Sequence, residues 1–145
     1  MKVELREQGF DPWAEVKRHQ QLTPELTNKF GATAVFVGTM RDFNEGDAVQ
    51  SMSLEYYPKM TAKHLEKISE QALERWDILD TVIIHRVGTI TPNDPIVLVA
   101  VWSAHRAAAF DACRFLMEEL KSTAPFWKKE SLEGGQRWVQ SNTPG

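Results

Sequence analysis

Cysteine is almost missing from this chain. One thiol, Cys113, stands in 145 residues, so no intramolecular disulfide can form and no zinc site can be built from paired cysteines. Long apolar runs are missing too. The longest, Ile96 to Trp102, is far shorter than the roughly 20 residues that cross a bilayer, and no charged-then-apolar leader opens the chain. A soluble, cytoplasmic protein with no membrane partner is the expectation. There is no excess of positive charge: 17 Lys and Arg face 20 Asp and Glu, for a net charge of -3. Bulk electrostatics therefore holds neither nucleic acid nor a membrane surface, and any anion must be gripped by a local basic cluster. No G-x-x-x-x-G-K-[ST], G-x-G-x-x-G or G-x-S-x-G segment occurs, which removes support for nucleotide-triphosphate, dinucleotide and serine-hydrolase chemistry. His19 and His64 fall on helical segments without ligand-spaced partners, so neither a metal nor another cofactor is expected. No repeat, low-complexity tract or linker interrupts residues 1–145, and one domain is expected.

Local patterning supplies the elements. Val3 to Gln8 suits a short strand. Asp11-Pro12 is an N-cap followed by proline at the first helical position and opens a helix toward Gln20, and Thr23-Pro24-Glu25 starts another short helical turn. Thr33 to Thr39 is apolar and β-branched, a buried strand. Arg41 to Gln50, with Gly46-Asp47 and no periodicity, is expected as a flexible loop. Met52 to Tyr57 alternates as a half-buried strand and is expected to pair back on the preceding one. Pro58 opens a long helix in which Thr61, Leu65, Ile68, Ala72 and Trp76 recur at helical spacing. Thr81 to Val87 and Ile96 to Trp102 are strands joined by the turn residues of GTITPNDP. A helix from Ala107 to Thr123 precedes a terminal hairpin, Phe126 to Ser131 and Arg137 to Gln140, around Gly134-Gly135. The order β-α-β-β-α-β-β-α-β-β is dominated by hairpin returns, which implies an α+β fold, a mainly antiparallel sheet with packed helices.

The chemistry concentrates between Ser103 and Glu130. At about 100° per residue, Phe110, Cys113, Leu116, Met117 and Leu120 share one apolar arc with Ala109 inside it, and Lys121 borders that arc. Pro125 stops the helix, and Phe126-Trp127 deliver Lys128 beside two apolar rings. Two interpretations stay open for these lysines. Either their amines are desolvated, favouring the neutral form suited to proton transfer or nucleophilic work, or they snorkel with heads in water. His105 and Arg106 open the same helix, where free N–H groups and an arginine fork make an anion site, though His105 also suits a plain cap-region role. Arg41 leaves a buried strand at the base of a polar loop, where it is either a pocket residue or an ordinary surface ion pair. His85-Arg86 lies within a strand, facing opposite sides of the sheet, and is taken as structural. Cys113 lies on the apolar arc as a small hydrophobe with a raised pKa.

SAHR, F-x-A-x-x-x-x-M-x-x-L-K and APFWKKE together resemble the large, catalytic subunit of molybdopterin synthase. Gly31 to Ile68 is similar to that family's glycine-arginine loop, L-E-Y-Y strand and following helix. His85 to Arg106 resembles its second sheet segment, and Arg137 to Val139 its closing strand, so the likeness spans roughly residues 30 to 140. It implies a single domain of hammerhead-type α/β arrangement and a sulfurtransferase that converts cyclic pyranopterin monophosphate to molybdopterin. The sulfur would come from the thiocarboxylated Gly-Gly tail of a small ubiquitin-like carrier subunit, with two large subunits as the central homodimer of a heterotetramer. This chain ends Asn-Thr-Pro-Gly, unlike such a carrier, and would receive sulfur. The resemblance makes Lys121 and Lys128 catalytic, with Lys121 at the thiocarboxylate and Lys128 at the pterin and phosphate. It assigns Thr39, Met40, Arg41, His105, Arg106, Lys129 and Glu130 to substrate binding, Thr39 standing where many members carry Lys or Arg. From a different class, a non-catalytic module that binds a phosphorylated metabolite or a peptide C-terminus uses the same cations.

Overall fold

A computed structural model describes residues 1–44 and 46–139. Among the described residues, nine strands and three helices run in the order β1 (Lys2–Arg6), α1 (Pro12–Leu22), β2 (Ala32–Thr39), β3 (Phe43–Asn44), β4 (Asp47–Tyr56), α2 (Pro58–Arg75), β5 (Asp80–Arg86), β6 (Gly88–Ile90), β7 (Pro95–Ser103), α3 (Arg106–Thr123), β8 (Phe126–Leu132) and β9 (Gly135–Trp138). A short 3-10 turn, Pro24–Leu26, follows α1. The expected strand end at Gln140 and the terminal Asn142 to Gly145 lie outside the described residues.

The strands form two sheets. The first has the order β1-β5-β7-β2, antiparallel except for the parallel β1–β5 pair. Every residue of β5 is buried, as expected for a central strand covered on both faces. Strand alternation splits its core in two. Ile83, Val97, Val99 and Val101 pack against Leu65 and Ile68 of α2 and Leu116 and Leu120 of α3. Val82, Ile84, Leu98, Ala100 and Trp102 face the opposite way, toward Leu26, Val16 and Phe30. Asp11 caps α1, accepting from the Trp13 N–H at 3.0 Å and the Ala14 N–H at 3.3 Å, with Pro12 at the first helical position as anticipated.

The second sheet runs β3-β4-β8-β9, with β6 added on β4. Here two expectations fail. Arg41 to Gln50 is not a loop throughout, because β4 begins at Asp47 and a two-residue β3 turns back onto it. Nor does β4 pair with β2. It pairs with β8 from Tyr56↔Phe126 to Val49↔Leu132, while β2 pairs with β7 in the other sheet. The polar residues that looked like a loop are the solvent side of an alternating strand whose Val49, Met52 and Leu54 are buried. The mainly antiparallel α+β architecture and the β8–β9 hairpin stand as expected.

Along α3, Ala109, Ala112, Cys113, Leu116, Met117 and Leu120 form the buried stripe. Phe110 does not join it and is 67% exposed. The stripe is centred between residues 113 and 116, about a quarter of a turn round from Phe110, and the alanines at 109 and 112 let the helix sit close to the sheet.

Cys113 is buried, its Sγ 3.9 Å from the Val99 carbonyl oxygen. Cys113→Ser therefore exchanges a packed thiol for a hydroxyl in an apolar setting, and should lower the free energy of unfolding by about 1–2 kcal/mol. Urea denaturation measures it, and an unchanged midpoint would remove Cys113 from the packing core.

Candidate active site

A cavity of about 510 Å³ opens where the two sheets meet. One wall is the end of β2. The β2–β7 register shifts between Gly38 and Thr39, and such a bulge re-aims the chain that follows. Met40 is tied down by its N–H to the Asp94 carbonyl and by its own carbonyl to the Asn93 N–H, both at 2.9 Å. Arg41 then lines the cavity mouth, exposed. Gly38 is needed in the wall, since a Cβ there would lie 2.9 Å from Val97 Cγ1 and 3.3 Å from the Phe36 ring.

The opposite wall carries the lysines. Lys121 comes from the last turn of α3 and Lys128 from β8, and both line the cavity. Alternation on β8 sends Phe126, Lys128 and Glu130 to one face and Trp127 and Lys129 to the other. Lys129 accordingly does not line the cavity and lies over the Trp138 ring, 5.4 Å from its centroid. Glu130 does line it, but is only 4% exposed. One carboxylate oxygen accepts from Asn44 Nδ2 at 2.9 Å and the other from Arg137 Nε at 2.9 Å. Arg137 also donates to Asp47 at 2.6 Å and to the Asn44 carbonyl at 2.8 Å. Glu130 is thus a fixed negative charge, held for its neighbours.

Burial pushes the Lys128 amine down from 10.5 to about 8. The charge and hydrogen bonding of Lys121 push the same way, and Glu130 opposes them. Of the two interpretations left open above, desolvation holds for Lys128. Behind the pair stands His85, whose sequence context offered no functional signal. Its imidazole is buried, stacked on Phe126 at 4.1 Å and 17°, and pushed down to about 3 by burial and then by the charges of Lys121 and Lys128, against the Arg86 carbonyl's hydrogen bond. The strand pairing of His85 with Val97 reveals its place, and pairing partners cannot be read from one strand alone.

His105 and Arg106 are not in this cavity. They are exposed at the start of α3, where the His105 N–H donates to Ser103 Oγ at 3.3 Å. Fifteen residues of helix separate Arg106 from Lys121, about 22 Å at 1.5 Å per residue. Their nearness to Lys121 along the sequence is undone by the helix between them. Thr39, Met40, Arg41, Lys121, Lys128 and Glu130 do converge. Phe36, Asn44, Met52, Ile96, Val97 and Val139 line the same cavity without having been singled out. His19 contacts Asp80 at 2.7 Å, and among the described residues no group of three His, Cys, Asp or Glu side chains could hold a metal. No helix among them is long and apolar enough to cross a membrane.

Two lysines and an arginine thus line one cavity of an α+β domain. The family model described as MoaE protein matches residues 7–123, and the chain belongs to that family. A molybdopterin synthase catalytic subunit from Ralstonia nicotianae is 49% identical over 139 residues, covering 96% of this chain and 77% of its own length. The solved molybdopterin biosynthesis MoaE protein from Burkholderia ambifaria superposes with a TM-score of 0.81 at 44% identity, over 99% of this chain and 92% of that one. The crystal structure of molybdopterin synthase from Staphylococcus aureus gives a TM-score of 0.82 at 31% identity, over 94% and 95%.

The desolvated amine has a signature in stability. Between about pH 8 and 10.5 the unfolded chain holds a proton on Lys128 that the folded chain has released, so stability rises with pH across that window. Lys128→Met should remove the rise and be more stable than the parent at pH 7, by at most about 3 kcal/mol. Urea titrations at pH 7, 9 and 10.5 check this, and parallel curves for the two proteins would contradict it.

Proposed function

We propose that this chain is the catalytic subunit of a molybdopterin synthase, working in the cytoplasm on cyclic pyranopterin monophosphate. It takes sulfur from the thiocarboxylated Gly-Gly tail of a small ubiquitin-like carrier. The observation that carries this reading is the Lys121–Lys128 pair in one cavity, with Arg41 at its mouth. Both reactants are anionic, and thioacyl transfer needs cations that stabilise a tetrahedral adduct together with a group that accepts a proton. Lys121 supplies positive charge at the thiocarboxylate. Lys128, neutral in a useful fraction near pH 8, takes up a proton at the pterin end. Arg41 grips phosphate, Thr39 and Met40 shape the wall beside it, and Glu130 keeps Lys128 in place. Lys129, on the far face of β8, has no part in this scheme.

His105 and Arg106 can act as phosphate anchors only in the cavity of a second copy, given the length of α3. This fits a central homodimer with one carrier docked at each end, where each active site draws on both large subunits. A glycine-rich tail suits the cavity because only glycine lets a backbone thread a narrow channel at little steric cost.

Single-turnover assays with precursor and thiocarboxylated carrier test the proposal. Lys121→Ala should abolish transfer with the fold intact, and near-normal turnover would remove Lys121 from the mechanism. Arg41→Ala should cost about 1.5–3 kcal/mol of precursor binding, roughly 10- to 100-fold in KM; an unchanged KM would end its anchoring role. Cys113→Ser should keep transferring sulfur, whereas a folded but inactive variant would point to a persulfide on this chain. Removing the carrier's last two residues should abolish transfer while calorimetry still detects docking. Transfer by the truncated carrier would sink the tail-in-cavity arrangement.

A further inference from the structure

His85 lies near the end of β5, in a row of the first sheet that runs into the active site. It pairs with Val97, and Val97 pairs with Gly38 on β2. Paired residues of antiparallel strands carry their side chains on one face. Val97 and Gly38 both line the cavity, so the imidazole stands one strand behind its wall. Phe126 covers the ring in a near-parallel stack at 4.1 Å, and Phe126 and Lys128 share a face of β8, two residues apart. His85 Nδ1 lies 2.6 Å from the Arg86 carbonyl oxygen. A carbonyl only accepts, so this nitrogen carries the hydrogen, which pins the ring in its plane. The charged groups that bear on the ring are Lys121 from α3 and Lys128 from β8. Its neighbours on β1 and β7, Leu5 and Val97, are apolar.

We propose that His85 is a positioning residue for the lysine pair: its neutral ring, pinned by the Arg86 carbonyl and stacked on Phe126, is the dry inner wall that keeps water from the Lys128 amine. A wall there must be flat, to let Phe126 lie on it, and uncharged, because a third cation beside two lysines would drive them apart. Burial holds this imidazole neutral down to about pH 3, so it stays uncharged wherever the enzyme works. The inference deepens the proposed function and rests on Lys128 serving there as a proton acceptor. Loss of the stack would admit water, weaken the desolvation of Lys128 and raise its proton affinity.

The test reads that amine without substrate. Acylation of Lys128 by a water-soluble amine reagent, followed by peptide mass spectrometry across pH 6–11, gives its titration midpoint in the full chain. The parent should titrate near pH 8. His85→Asn, which keeps polarity but loses the stack, should titrate about one unit higher. His85→Phe, which keeps a flat neutral ring, should stay near the parent. Melting curves verify the fold, with His85→Gln as the second truncation if His85→Asn does not fold. An unchanged midpoint in a folded Asn or Gln variant overturns the proposal. So does a raised midpoint in His85→Phe, which decides alone if neither polar variant folds. Because labelling needs no precursor or carrier, an intact wall in a chain that fails to transfer sulfur would indict the proposed reaction and leave the role of His85 standing.

Discussion

Two amines sharing one partly buried cavity is the constraint that organises the rest of this molecule. Like charges sharing a site of low dielectric repel more strongly than they would in water, and only about 5–15 kcal/mol holds a domain folded. Three responses are visible. Lys128 gives up part of its proton affinity. Glu130 supplies a nearby negative charge, held by Asn44 and Arg137 so that it cannot swing away or be captured by another cation. His85 keeps the wall behind the pair uncharged. Each would be costly alone. Together they make a cationic site that a chain of net charge -3 can carry without general electropositivity.

The two amines come from elements built on different sheets. Lys121 comes from a helix anchored on the first sheet by Leu116, Met117 and Leu120, whereas Lys128 comes from a strand of the second. The short connection Ala124-Pro125 turns one element into the other. The Thr61 hydroxyl of α2 donates to the Pro125 carbonyl at 3.2 Å, which fixes the corner. Phe126 belongs to both units, as a β8 residue packed on the core of the first sheet and stacked on His85. Tilting either sheet would separate the lysines, so interfacial packing and the electrostatics of the site are one problem.

Much of this was legible in the sequence because it is local. Proline at the start of α1 and α2, the Asp11 cap, the β-branched runs and the Gly134-Gly135 hairpin each follow from residues a few positions apart. The lysine pair was legible as well, from Lys121 at the margin of a helical stripe and Lys128 after a proline break. What failed was non-local. The helix that His105 and Arg106 open also carries Lys121, but at its other end. Lys128 and Lys129 are adjacent letters, and the pleat of β8 sends them to opposite faces. The polar letters of Asp47 to Gln50 concealed a strand whose buried partners lie some eighty residues on. His85 was hidden for the same reason, since its meaning depends on Val97 and Phe126, neither of them near it in the chain.

Cys113 closes the account of sulfur. A protein that handles sulfur could carry it as a persulfide, and that route needs an accessible thiolate. Here the single thiol is on the core side of α3, and burial pushes it up to about 11. At neutral pH essentially none of it is ionised, and it is packed in the same buried cluster as Leu116, Met117 and Leu120. In the proposed reaction the sulfur accordingly arrives and leaves on other molecules. What the protein contributes in that scheme is a cationic cleft with one proton-poor amine, suited to passing an acyl-bound sulfur between two anions without a covalent stop on the chain.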